Sequence, residues 1–343
     1  MSKPQPSAAP TPPREPPPLF DRLRGALLED FGPAGDVTSQ SLVLEGKIAS
    51  ASVLVKAEGV LCGVKLLPLI FQMAEELVSS HAAGRSWDLH DAEEAARSGQ
   101  KDWAGVQAMR DQHRRQGIRV TVLKKDGEHV RSGDIAATIE GEARALLAGE
   151  RVALNLLCHL SGIATQTANY VEKIAHTKAK ILDTRKTMPL WRDLAKYAVK
   201  CGGGENHRRG LYDMVLIKDN HLALWGTKDP AGAVNAARAK CPQLPIEVEV
   251  VDLAGLQHVC KNSHPEMILL DNFSIDELRA ATAWCEKFFS TEEQKKQRPL
   301  LEASGGITME TLTAIAETGV DRISVGALTH SVKALDCSLE IKF

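Results

Sequence analysis

The sequence predicts an α/β protein, an open (incomplete) α/β barrel with an N-terminal α+β sandwich-like domain. Three observations predict it. From Lys180 onward, short apolar runs alternate with helical stretches, and six such runs are visible, which argues for a parallel sheet. The C-terminal end of every run carries charge or glycine. An open doubly wound sheet gathers its ligand groups at one switch point, whereas a barrel draws them from all strands. The residues before Lys180 lack this alternation.

A chain of 343 residues suggests roughly two domains. Net charge is −2, so no global attraction to nucleic acid or to a membrane is expected. The seven cysteines, Cys62, Cys158, Cys201, Cys241, Cys260, Cys285 and Cys337, are scattered and include no Cys-x-x-Cys pair. That pattern fits a reducing compartment and a cytoplasmic protein. No apolar run approaches the length of a membrane span. Residues 1–18 hold half of the 16 prolines and read as a disordered tail.

Residues 19–150 are expected to form the α+β domain. Leu19–Leu28 has helical spacing, Gly35–Ser39 is a turn, and Ala51–Lys56 and Val60–Cys62 read as strands. Lys65–Ser79 is an amphipathic helix. A polar stretch, about 81–116, reads as an exposed insertion. Strands follow at Arg119–Leu123 and Ile135–Ile139. A helical period starts near Glu142, is interrupted at Ser161-Gly162, and resumes to about Ile174.

Residues 151–328 are expected to hold the barrel, and 329–343 to return to the N-terminal domain. The barrel strands read as Ile181–Thr184, Met214–Ile217, Ile246–Val250, Met267–Leu270, Leu300–Ala303 and Arg322–Val325. The helices between them are Pro189–Lys200, Pro230–Lys240, Leu253–Lys261, Ser274–Phe289 and Thr308–Thr318. Ser274 followed by Glu277 is a capping-box signature, and Ser290–Arg298 reads as a polar loop.

The candidate chemistry lies at the strand ends. Asp183–His221 gathers Arg185, Lys186, His207, Arg208, Lys218 and His221 in a chain of nearly neutral charge. Such a local field suits a small, strongly anionic ligand. Glu247 and Glu249 lie two apart on a strand and so face the same way, with one or both expected in the barrel mouth, and Asp271 ends the next strand. Carboxylates there suit a divalent metal or a cationic transition state, or simply pair with Lys186 and Lys218. Ser304-Gly305-Gly306 and Gly326 sit where barrels often bind phosphate, though they also fit ordinary tight turns. Arginine forks match a second anionic group, a carboxylate.

The blocks GERVALN with LSGIAT, DTRKT, KYAVKCGGGENHRRGLYDMVLIKDNH, IEVEV, ILLDNF, EASGGI and DRISVGALTHS stand in this order. Together they resemble the quinolinate phosphoribosyltransferase family, the carboxylating nicotinate-nucleotide pyrophosphorylases. The resemblance covers most of the chain from Leu19 to Ser331. It implies that quinolinate and phosphoribosyl pyrophosphate give nicotinate mononucleotide, pyrophosphate and CO2, in NAD biosynthesis. It implies a seven-stranded open barrel, Mg²⁺ with phosphoribosyl pyrophosphate, and a homodimer with shared active sites, in some members a hexamer.

Carried over by motif, Arg151 is the arginine that reaches the neighbouring subunit's site. Arg185, His207, Arg208 and Lys218 are the quinolinate pocket. Lys186, Glu249 and Asp271 are the catalytic set on the phosphoribosyl pyrophosphate side, with Glu249 and Asp271 toward the metal. Ser304, Gly305, Gly306 and Gly326 are the phosphate-binding turns, and His221 stands behind the pocket. One departure is Met188-Pro189-Leu190, where the family often has Thr-Pro-Gly after RKT. Other readings are a Schiff-base lyase using Lys218, a non-catalytic carboxylate binder, and a related phosphoribosyltransferase acting on another aromatic acid.

Overall fold

The computed structural model describes residues 17–84 and 117–342. The expected tail and insertion lie almost wholly outside these residues. The elements of the first part are α1 (Leu19–Phe31), α2 (Val37–Leu42), β1 (Ile48–Val55), β2 (Gly59–Val60), α3 (Leu67–Ala82), β3 (Arg119–Val122), β4 (His129–Val130), β5 (Ile135–Glu142) and α4 (Ala143–Lys173). Then come β6 (Lys180–Leu182), α5 (Arg192–Cys201), β7 (Val215–Ile217), α6 (Asp219–Trp225), α7 (Pro230–Lys240), β8 (Ile246–Val250), α8 (Leu253–Asn262) and β9 (Met267–Asp271). The chain ends with α9 (Ile275–Phe288), α10 (Glu292–Lys295), β10 (Leu300–Ser304), α11 (Leu312–Ala316), β11 (Arg322–Ser324), α12 (Ala327–His330) and β12 (Cys337–Lys342).

The first layer is an antiparallel sheet of order β12-β1-β5-β3. Its edge strand β12 comes from the end of the chain, with Ser50 opposite Lys342 and Val55 opposite Cys337. Ala51, Val53 and Val55 of β1 enter a core shared with Ile70 and Phe71 of α3 and Leu157 of α4. α3 is buried throughout Leu67–Phe71 and further along at Met73, Ala74 and Leu77, as its amphipathic sequence requires.

The long helix α4 corrects one expectation. It runs unbroken through Ser161-Gly162. These small residues mark a crossing rather than a break. Ser161 Oγ accepts the Cys62 N–H at 2.9 Å. A Cβ on Gly162 would lie 2.5 Å from the Lys333 carbonyl oxygen, so the returning C-terminal segment needs glycine there. Residues 150 and 151 both lie within α4, which serves both layers.

The second layer is a six-stranded sheet of order β6-β11-β10-β9-β8-β7, with every pairing parallel. β6 and β7 follow one another in the chain yet form its two edges, so the barrel is open between them. The helix joining them, α5, places Leu194, Ala198 and Val199 in the N-terminal core instead of against the barrel. The seven strands implied by resemblance are six here, plus one isolated parallel bridge from Leu182 to Glu205. Apolar residues of the strands, such as Val248, Ile268, Leu301 and Ile323, form the barrel's own core.

Smaller corrections follow local chemistry. Gly35–Ser39 is less a turn than the start of α2, where the Asp36 side chain accepts the Ser39 N–H at 3.0 Å. The helix expected from Pro189 starts at Arg192, because Leu190 takes a left-handed φ of 67°. α6 occupies residues read only as charged site groups. α10 is one helical turn inside the expected polar loop. The Ser274–Glu277 capping box at α9 is present.

Candidate active site

The C-terminal ends of the barrel strands bring the cations together. Arg185 and Lys186 follow β6, and Arg208 lies on the loop that enters β7. Burial, and then the neighbouring Arg185 charge, hold the Arg208 guanidinium below its ordinary value. Arg208 NH1 donates to the Met214 carbonyl at 3.3 Å, and Arg185 Nε is buried without a hydrogen-bond partner. Neither arginine forms an ion pair among the described residues. Glu247 and Asp213 offset the lowering of Arg208 only in part, and two adjacent guanidiniums outside any ion pair could receive an external anion.

Below them lies a fully paired frame. Asp183 and Lys196 are both buried and joined by an ion pair. Burial raises the Asp183 carboxyl and lowers the Lys196 ammonium, each opposed by the partner's charge. Asp183 also accepts the His207 N–H at 2.9 Å, and Lys196 donates to the His207 carbonyl at 2.9 Å. With its amide oriented to satisfy both ends, Asn206 donates to Asp183 at 2.8 Å and to the Lys196 carbonyl at 3.0 Å. The loop carrying His207 and Arg208 is therefore fixed from beneath.

Glu249 pairs with Lys218 at 2.8 Å, the simple alternative the sequence left open. Asp271, at the end of β9, is half-buried and accepts the Asn272 side-chain N–H at 2.7 Å. Ser304 pairs in register with Asp271. Glu249 and Asp271 thus end neighbouring strands, and their hard oxygen donors fit Mg²⁺, which keeps waters and takes phosphate oxygens besides one or two carboxylates.

Glu247 lies one inward step below Glu249 and is fully buried. It faces His207 Nε2 at 2.8 Å, and Glu302 of β10, also fully buried, lies 3.5 Å from the same nitrogen. The His207 ring is only 8% exposed, and its Nδ1 accepts the Arg208 N–H at 2.8 Å. Both ring nitrogens are engaged. The resemblance implies a pocket ligand, but the structure turns this ring into the barrel.

The last two strands form the small corner. Gly305 takes φ 98°, and a Cβ there would strike the Asn272 side chain. Only glycine fits that conformation comfortably. Lys186 extends across Gly326, and the Thr329 hydroxyl donates to the Lys186 carbonyl at 2.9 Å. His330 lies at the same glycine, with Nδ1 2.7 Å from Ser331 Oγ. His221 is tied to the Lys218 N–H through Nδ1 at 2.9 Å.

Arg151 is not part of this cluster. It is exposed on α4 and pairs with Glu150 at 2.9 Å. Sequence reasoning missed Glu302, Lys196, Asn206 and His330 as site components. A signal existed for Glu302, because a carboxylate inside a buried strand is as unusual as Glu247. Lys196 shows none, since its spacing is that of an ordinary helix residue.

An open parallel barrel whose mouth joins two arginines outside any ion pair to a glycine-bearing corner fits a protein that handles small anionic substrates. Comparison with known proteins makes this specific. Residues 163–340 match the model of the quinolinate phosphoribosyl transferase C-terminal domain, and 89–161 match that of the N-terminal domain. The N-terminal match therefore begins inside the stretch read as an exposed insertion. Nicotinate-nucleotide pyrophosphorylase (carboxylating) of Mycobacterium leprae is 39% identical, over 94% of this chain and 96% of its own. The probable enzyme of that name from Bacillus subtilis is 38% identical, over 93% of this chain and 92% of its own. The solved structure of the nicotinate-nucleotide pyrophosphorylase from Francisella tularensis is 33% identical with a TM-score of 0.72, covering 94% of this chain and 95% of that one. The chain belongs to the quinolinate phosphoribosyl transferase family. It is a phosphoribosyltransferase enzyme of NAD biosynthesis, joining quinolinate to the phosphoribosyl group with loss of CO2.

Proposed function

We propose that the barrel mouth carries out this transfer with its residues divided between the two substrates. Arg185, Arg208 and Lys218 take the carboxylates of quinolinate. Lys186, Ser304, Gly305, Gly306 and Gly326 take the phosphates of phosphoribosyl pyrophosphate. The observation that supports this division is the unpaired Arg185–Arg208 pair beside the Gly326 corner. Glu249 and Asp271 would hold Mg²⁺, which when bound offsets the negative charge of the pyrophosphate.

The chemistry follows from charge. Departure of pyrophosphate leaves an oxocarbenium-like ribosyl centre, which Glu249 and Asp271 are placed to stabilise. Lys186 balances charge on the leaving group. The pyridine nitrogen then attacks, and the resulting pyridinium withdraws electrons as the 2-carboxylate leaves as CO2. The ring carbon takes up a proton. Guanidiniums on the 3-carboxylate keep the ring in place meanwhile. Incubation with quinolinate, phosphoribosyl pyrophosphate and Mg²⁺ should yield nicotinate mononucleotide and CO2 in equal amounts. Absence of either product would sink the reading.

The site is completed by a second copy of the chain, and further assembly of dimers is compatible with this. Arg151 is exposed and pairs with Glu150 on its own helix, and the loops beside the arginines expose Met188, Leu190, Leu211 and Tyr212. Such apolar patches suit an interface. Arg151→Ala and Lys218→Ala should each be nearly inactive. After subunit exchange about half the dimers are hybrids with one intact site each, so about a quarter of wild-type sites should return. Demonstrated exchange without recovered activity would remove Arg151 from the shared site. The seven free thiols fit a reducing cytoplasm, and among the described residues no helix is long and apolar enough to cross a membrane.

A further inference from the structure

The cluster of His207, Glu247 and Glu302 is not used by the reaction as derived above. Their ligand atoms lie within 4.8 Å of one another, and both glutamates are fully buried. His207 Nε2 lies 2.8 Å from Glu247 and 3.5 Å from Glu302. On the other side of the ring, Nδ1 accepts the Arg208 N–H. An imidazole nitrogen that accepts a backbone N–H carries no proton of its own, which places the ring proton on Nε2, toward the carboxylates.

We infer that Glu302, together with Glu247, is a positioning residue of the quinolinate subsite, acting through His207 on Arg208. The ring is a spacer. One edge rests on the two carboxylates, and the other fixes the backbone of the residue whose guanidinium meets the anion. Both carboxylates are fully buried and face the same edge of the ring, so they fix where that edge sits. Burial and the Glu247 charge push the Glu302 carboxyl up to about 7, in keeping with that geometry. The groups facing Glu302 are Glu247 from β8, His207 from its loop, and Ser324 and Arg322 from β11. Burial works against a charge on His207, but Glu247 and Glu302 together raise its imidazole, and a second ring proton would break the contact with the Arg208 N–H.

This inference rests on Arg208 being a quinolinate ligand, and the experiment separates the two. In the holoenzyme, Glu302→Gln keeps the shape and removes the titration. Its KM for quinolinate should rise about tenfold, while its KM for phosphoribosyl pyrophosphate stays within about twofold. His207→Asn retains an acceptor near the Arg208 N–H but loses the arm to the glutamates. It should show the same selective rise, and the double variant should be no worse than either single one. Additive losses, or equal effects on both substrates, would overturn the route through His207. Stoichiometric metal in purified wild type that disappears in Glu302→Gln would also overturn it, because a cation would then replace the proton. Should Glu302→Gln not fold, Glu302→Asp and His207→Asn carry the same comparison. Wild type that fails to turn over quinolinate would instead remove the functional reading itself.

Discussion

Two levels of one barrel carry opposite imbalances of charge. At the mouth, Arg185 and Arg208 lie close together with no ion pair to either among the described residues. One level below, Glu247 and Glu302 share a single histidine. Beside both stands Asp183–Lys196, a buried pair in balance. The difference teaches what each level is for. Like charges in a half-open mouth are tolerable because water and an incoming anion can reach them. Like charges in a closed interior are tolerable only when a proton is retained. The balanced pair needs neither and serves as scaffold for the loop between them.

The comparison can be broken at several points. The largest effect should come from Lys196→Met, which leaves Asp183 buried without its partner. Urea unfolding should show a loss of about 3–5 kcal/mol. A loss under about 1 kcal/mol would mean that Asp183 is not held as described. Glu302→Gln tests the lower level through pH. The folded chain raises this carboxyl from its ordinary 4.5 to about 7. Between those values the native state holds a proton that the unfolded chain has released. Stability from this group therefore falls as pH rises through that window, by on the order of 3 kcal/mol. The difference in unfolding free energy between wild type and Glu302→Gln should show this decline. A flat difference would contradict a raised Glu302 carboxyl.

Lys218→Met sharpens the contrast, since it removes an ion pair at the mouth whose lysine is 44% exposed. Stability should change by no more than about 1 kcal/mol, while activity nearly disappears. Equal damage to both would make Lys218 a structural lysine. The smallest effect belongs to Leu190→Gly. Leu190 holds a left-handed conformation that glycine adopts freely, and its carbonyl accepts from Arg22, which also pairs with Asp193 at 2.6 Å. Relief of strain and the added freedom of the unfolded chain nearly cancel, so the melting temperature should move by only a few degrees. A large fall would show that the Leu190 side chain is held by contacts this account omits.

Much of this arrangement was legible in the residues. Alternation of Ile246, Val248 and Val250 with Glu247 and Glu249 let Ile246–Val250 be bounded from sequence. Glu247 and Glu249 stood out as carboxylates on such a strand. Glu302 carries the same mark but lies two residues before Ser304-Gly305-Gly306, whose phosphate reading claimed that strand. The opening of the barrel was less legible. It depends on α5 packing into the other layer and on a single bridge at Glu205, and neither leaves a periodic pattern. Ser161-Gly162 misled because a crossing and a helix break call for the same small residues. The inward turn of His207 was hidden for a similar reason: a histidine beside an arginine reads as a ligand until its neighbours are seen.

The central claim is that the mouth holds more positive charge than one carboxylate needs. It is tested most directly by the ratio of kcat/KM for quinolinate to that for nicotinate, measured in wild type and in Arg208→Ala. Each charge-assisted contact is worth about 1.5–3 kcal/mol, or one to two decades. Wild type should prefer quinolinate by at least that factor, and Arg208→Ala should lose most of the preference. Equal turnover of the two acids by wild type, or an undiminished preference in Arg208→Ala, would contradict the account.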